Sequence, residues 1–146
     1  VSSRARGFEI EARGRNACGD VEDAAGAKPL SPWLSPDGPD WLSTNLPATA
    51  IVSRLRRRGI PAFVSWDAGS YLCNALLYHA LVLARHKPAL RRNGFIHVPH
   101  DLPAPNRRMS SRPRSSPMTF EQALDGGVEI IATCLGRRAH PQTRKH

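Results

Sequence analysis

The stretch from Ile60 to Arg85 constrains the fold most. Ile60-Pro61-Ala62-Phe63-Val64-Ser65 is a short apolar run bounded by turn residues, Trp66-Asp67-Ala68-Gly69-Ser70 is a glycine-containing turn, and a helical pattern follows from about Tyr71 to Arg85. An apolar run without alternation suits a strand covered on both faces, the kind a parallel sheet uses. Parallel strands need crossover connections, usually helices, so such a unit commits the chain to helices packed on a sheet. Asp67 or Ser70 is available to cap the helix. Leu72, Ala75, Leu76, Tyr78, His79, Leu81, Val82 and Leu83 make that helix apolar nearly all round, which predicts that it is sandwiched in the core.

The flanking segments extend the pattern. Gly7 to Arg13 alternates apolar and polar residues and reads as a short strand. Ala48 to Arg58 puts Ile51, Val52 and Leu55 on one helical face with arginines opposite, and Gly59 stands where a C-cap is wanted. A further strand is predicted at Phe95-Ile96-His97-Val98-Pro99, after the turn Asn93-Gly94. Thr119 is placed to cap a last helix with Glu121 and Gln122 in its first turn and Val128, Ile130, Ile131 and Leu135 as its apolar face. The alternation of strands and helices predicts an α/β fold, a three-layer α/β/α arrangement around a mostly parallel sheet. Three strands are few for two helical layers, so N-terminal strands are expected to be missing upstream. Residues 1–146 are expected to form one N-terminally incomplete domain, with a Pro/Gly-rich surface connection over about 17–47 and a mobile loop over about 101–117.

Composition narrows the function classes. At 40% hydrophobic residues the chain can build a core, and no apolar run approaches the roughly 20 residues of a membrane helix. The longest, Ala75 to Ala84, is interrupted by His79, so no membrane partner is expected. A net charge of +9 raises the question of nucleic acid. The basic groups, such as Arg54, Arg56, Arg57 and Arg58 or Arg107, Arg108, Arg112 and Arg114, are scattered, and aromatic residues make up only 6% of the chain. They read as solvated surface, and nucleic acid is not an expected partner. Cys18, Cys73 and Cys134 are odd in number and widely spaced, fitting neither a disulfide framework nor a zinc motif. With no apolar leader after Val1, the expectation is a cytoplasmic chain.

Two residues point to chemistry. Cys73 falls at the start of a helix that follows a strand and a tight turn, where unpaired amides and the helix dipole favour a thiolate. His97 lies in the neighbouring predicted strand, near the end from which it can meet Cys73 across the sheet edge. A Cys–His pair needs a third group to hold the imidazole, and Glu11 and Asp67 are both candidates. The remaining histidines show no ligand spacing with a cysteine or carboxylate, so no metal is assigned.

Ser65, Asp67, Ala68, Gly69, Tyr71, Leu72, Cys73 and Asn74, at their spacing, closely resemble the cysteine motif of the pyroglutamyl peptidase I family, also called pyrrolidone carboxyl peptidase. Gly94-Phe95-Ile96-His97-Val98-Pro99 resembles that family's histidine motif, and Glu11 with Asn16 its glutamate motif. Around the glutamate the chain departs from the pattern: Ala12-Arg13-Gly14 replaces a basic residue, an aliphatic one and Ala, and the run after Asn16 is different. The resemblance implies a cysteine exopeptidase that removes N-terminal pyroglutamate from peptides through a thioacyl-enzyme. Cys73 would be nucleophile, His97 base and Glu11 its orienter, with Tyr71 and Leu72 lining the substrate pocket and no cofactor. It also implies a homo-oligomer. The competing reading is a truncated or inactive relative that serves as a fragment or interaction module.

Overall fold

A computed structural model describes residues 5–87, 89, 92–100, 102 and 118–137. In chain order it places β1 (Phe8–Glu11), β2 (Arg13–Arg15), β3 (Trp41–Ser43), α1 (Ala48–Arg57), β4 (Ala62–Ser65), α2 (Leu72–Arg85), β5 (Ile96–His97) and α3 (Phe120–Cys134). One sheet has the order β4-β1-β5 and a second pairs β2 with β3. The Phe8 N–H donates to Pro61 O at 2.9 Å and the Ala12 N–H to Ser65 O at 2.7 Å. These two bonds keep the same offset along the chain, so β1 and β4 run parallel, as the apolar run at 60–65 predicts.

The chain divides into two compact units. One holds Pro47–Val64 with the described residues of 1–9 and 97–146. Here α1 packs against α3. Ile51, Val52 and Leu55 are buried, as their spacing predicts, and Gly59 ends the helix at φ +70°, a left-handed position that costs a glycine little. Thr119 caps α3 in a reciprocal capping box with Gln122, also as predicted. The buried face of α3 is different from the predicted one. Of the predicted face Ile130 is buried, but Val128, Ile131 and Leu135 are exposed, and Gly126 and Glu129 are buried beside Ile130 instead. Arginines decide this: Glu129 accepts from Arg54 and, at 2.8 Å, from Arg58, so the helix turns its carboxylate inward to meet α1. Arg54 is accordingly buried and does not belong to a solvated arginine face. Gly126 leaves room for the Phe8 ring, which a Cβ would occupy.

The other unit holds Ile10–Leu46 and Ser65–Ile96. The residues read as one strand over 7–13 form β1 and then β2, which joins a different sheet. β2 pairs antiparallel with β3 in the register Arg13↔Ser43, Gly14↔Leu42, Arg15↔Trp41. β3 lies inside the segment expected to be surface connection over 17–47, because three residues among prolines and aspartates give no local signal of a strand. α2 packs on β2 and β3, with Leu77, Leu81 and Ala68 against Leu42 and Phe95. The approach is close: a Cβ on Gly14 would lie 3.1 Å from the Tyr78 nitrogen and 3.2 Å from Leu77 Cγ. The helix is not sandwiched as predicted, since Leu72, Leu76, His79 and Leu83 are exposed. Of the predicted mobile loop 101–117, all but residue 102 lies outside the described residues. Among the described residues no helix is long and apolar enough to cross a membrane.

Candidate active site

The turn from β4 into α2 is built by short-range polar contacts. Ser65 Oγ accepts from the Asp67 N–H at 3.3 Å, and Asp67 Oδ1 accepts from the Gly69 N–H at 3.0 Å. Gly69 sits at φ +85°, where a side chain would be strained. The chain then enters α2 through Tyr71, and no side chain caps the helix. Neither of the alternative caps, Asp67 or Ser70, caps the helix: Asp67 folds the turn, and the Ser70 carbonyl accepts from the Gly19 N–H at 2.7 Å. With no side chain on them, the first-turn N–H groups of α2 remain available to negative charge, which is what an acyl-transfer oxyanion needs.

Cys73 occupies this first turn as a free, partly buried thiol. Tyr71 and Leu72 beside it are exposed, the latter at 66%, so both are accessible to a ligand. The next residue, Asn74, is buried. Its Nδ2 donates to Arg15 O at 2.8 Å and to Ala17 O at 3.1 Å, and its Oδ1 accepts from the Arg15 N–H at 2.8 Å. Asn74 thereby ties the cysteine's helix turn to the end of β2. Asn16 has the same role toward the following loop: its side chain donates to Ser35 O and Gly38 O and accepts from the Ser35 N–H. The cysteine motif contains Asn74 and the glutamate motif Asn16, but their work on backbone groups is not written in the sequence, because a backbone partner leaves no residue-type signal.

Glu11 is fully buried at the end of β1, and its N–H donates to Phe95 O at 3.0 Å. His97 is buried on β5, a neighbour of β1 in the sheet. Glu11 and Cys73 belong to the second unit and His97 to the first. Within the first unit a Glu9 carboxylate oxygen lies within 4.8 Å of a His97 ring nitrogen. Glu9 is a site neighbour that the sequence reading missed, although the two-residue period of a strand puts it on the same face as Glu11. Asp67, the other candidate orienter, is committed to the turn. A cavity of about 240 Å³ lies elsewhere in the second unit, lined by Cys18, Gly19, Asp20, Pro29, Leu30, Ser31 and Pro32. None of the predicted site residues lines it.

The described residues thus form an α/β scaffold with Cys73 in the first turn of a helix that no side chain caps. Residues 9–135 match the pyroglutamyl peptidase family, and the chain belongs to that family. It is 37% identical over 120 residues to a pyrrolidone-carboxylate peptidase of Cupriavidus taiwanensis, covering 82% of this chain and 54% of the relative. A pyrrolidone-carboxylate peptidase of Bacillus cereus is 34% identical over 113 residues, covering 77% and 52%. The structure matches a mutant pyrrolidone carboxyl peptidase from Pyrococcus furiosus with TM-score 0.74 and 29% identity, over 92% of this chain and 64% of that one. The chain thus has the α/β fold of those enzymes and spans about half the length of the curated relatives it matches.

Proposed function

We propose that this chain is a cysteine exopeptidase that releases pyroglutamate from the N-terminus of peptides. The observation that carries the reading is the family match over residues 9–135 with Cys73 on the first turn of an uncapped helix. The Cys73 thiolate adds to the pyroglutamyl carbonyl, backbone N–H groups of the turn receive the oxyanion, and the C–N bond breaks as the departing amine takes a proton from His97. Water then gives a proton to His97 and attacks the thioester, freeing pyroglutamate and the thiolate. Glu11, buried on the strand next to that of His97, orients the imidazole. Tyr71 and Leu72 line the pocket of the uncharged lactam ring. No cofactor enters these steps. The setting is the cytoplasm and the working form a homo-oligomer.

The test is hydrolysis of a fluorogenic pyroglutamyl amide by the 146-residue chain beside Cys73→Ala. Turnover in the former and none in the latter is expected. Equal turnover in both refutes Cys73 as the nucleophile. Absence of turnover in both favours the other reading, a fragment or interaction module.

A further inference from the structure

The exposed aromatic residues of the second unit are not scattered evenly. Trp41, on β3, and Trp66, opening the turn that leads to Cys73, are 41% and 62% exposed, and the Arg13 guanidinium is held against both. Its carbon stands 3.8 Å from the centroid of the Trp41 ring and 5.8 Å from that of Trp66. Arg13 Nε donates to Trp66 O at 3.0 Å. That bond fixes the plane of the guanidinium and leaves its two terminal nitrogens as a parallel pair of donors. Arg15, two residues on along β2, brings a second guanidinium to 5.9 Å from the Trp41 centroid. Among the described residues no carboxylate forms an ion pair with either arginine. Asp67, next to Trp66 in sequence, has Oδ1 engaged by the Gly69 N–H.

Two large indoles left in water, with a planar cation stacked on one and pinned by its Nε, form a pre-ordered fork. The cost of ordering an arginine side chain is already met by the stack and the carbonyl bond, so a partner gains the full worth of its hydrogen bonds. A fork with two parallel N–H donors matches a carboxylate, and Trp and Arg are the residue types that dominate binding energy at interfaces. We infer that Arg13, clamped by Trp41 and Trp66, binds a carboxylate of the peptide downstream of the scissile bond. This rests on the exopeptidase reading for the identity of the ligand. The carboxylate comes from an acidic side chain or from the C-terminus of a short peptide.

The test uses the full chain and three pyroglutamyl peptides of equal length: a free acid, its C-terminal amide, and an amide with an internal Glu. Competition against the fluorogenic amide, itself without a carboxylate, gives each peptide's relative affinity. The free acid or the Glu-containing amide is expected to compete about tenfold better than the neutral amide, the worth of a charge-assisted pair. Whichever of the two competes identifies the source of the carboxylate. Arg13→Gln is expected to abolish the preference while leaving binding of the neutral amide and turnover of the fluorogenic amide unchanged. Arg13→Lys, which keeps the charge but not the fork, is expected to retain only part of it. A preference that survives Arg13→Gln, or no preference in the parent chain, overturns the proposal. The same titrations on Cys73→Ala, followed by tryptophan fluorescence, read the carboxylate preference without turnover. Loss of activity with an intact, Arg13-dependent preference therefore sinks the catalytic reading and not this one.

Discussion

Asn74 follows the cysteine directly, yet its chemistry is structural. One buried amide satisfies the Arg15 N–H, the Arg15 carbonyl and the Ala17 carbonyl, groups that lie far from it in sequence. Removing it leaves partly buried backbone groups unpaired, and an unpaired donor or acceptor away from water costs about 1–3 kcal/mol. Asn74→Ala is therefore expected to lower unfolding free energy by about that amount in urea titration. It is also expected to loosen the turn under Cys73, seen as faster alkylation of the thiol under native conditions. An unchanged urea midpoint would show that water replaces the amide. Asn16 works similarly on the loop at Ser35–Gly38, so the two motif asparagines act as clamps where β2 ends. Cys73, His97 and Glu11 can be proposed from the sequence because the proposed chemistry needs those residue types. The clamps were legible only as motif positions.

Among the elements, those read correctly rest on local physics. The 3.6-residue spacing of Ile51, Val52 and Leu55, the left-handed Gly59 and the Thr119 capping box are all decided within a few residues of chain. The failures are non-local. The inward face of α3 is chosen by Arg54 and Arg58 meeting Glu129 from a helix distant in sequence, a pairing that hydrophobic periodicity cannot see. β3 exists because β2 pairs with it, and α2 lies against both. That contact makes Gly14 the weak point of the element, because even a Cβ there would meet the Tyr78 backbone and Leu77 at about van der Waals limits. Gly14→Val is expected to push β2 from α2 and destabilise the fold by about 1–3 kcal/mol, the usual cost of overpacking. Gly127, with nothing near its Cβ position, serves as the control: Gly127→Ala is expected to leave stability the same or slightly higher, since alanine favours helix. Thermal melting of the two variants distinguishes them, and a Gly14→Val midpoint equal to the parent's would refute the close approach.

At the scale of the whole molecule the charge balance sets the conditions under which a buried tyrosine can be measured. Tyr78 is fully buried, and its hydroxyl donates to Pro39 O at 2.8 Å, holding the loop before β3 to α2. Burial pushes this phenol above the usual value of 10.0, Arg85 opposing and Asp40 reinforcing the shift. The folded chain thus holds the proton more tightly than the unfolded one. The resulting stability is fully present below the unfolded value and is lost as pH rises through the folded one. In the same range the chain, at +9 near neutrality and with a pI near 10.7, sheds positive charge, which relieves self-repulsion and works in the opposite direction. The raw alkaline melting curve therefore mixes two opposed effects, and only a difference against Tyr78→Phe isolates the phenol, because every other titrating group is common to both chains. At about pH 8 the variant is expected to be less stable by about 0.5–1.5 kcal/mol for the lost hydrogen bond. Above about pH 10 that gap should close, since the unfolded parent chain then ionises its phenol while the folded one still holds the proton. A gap that stays constant to the highest pH reached would mean that the tyrosine is accessible to hydroxide without unfolding, and would refute a buried clamp between α2 and the loop.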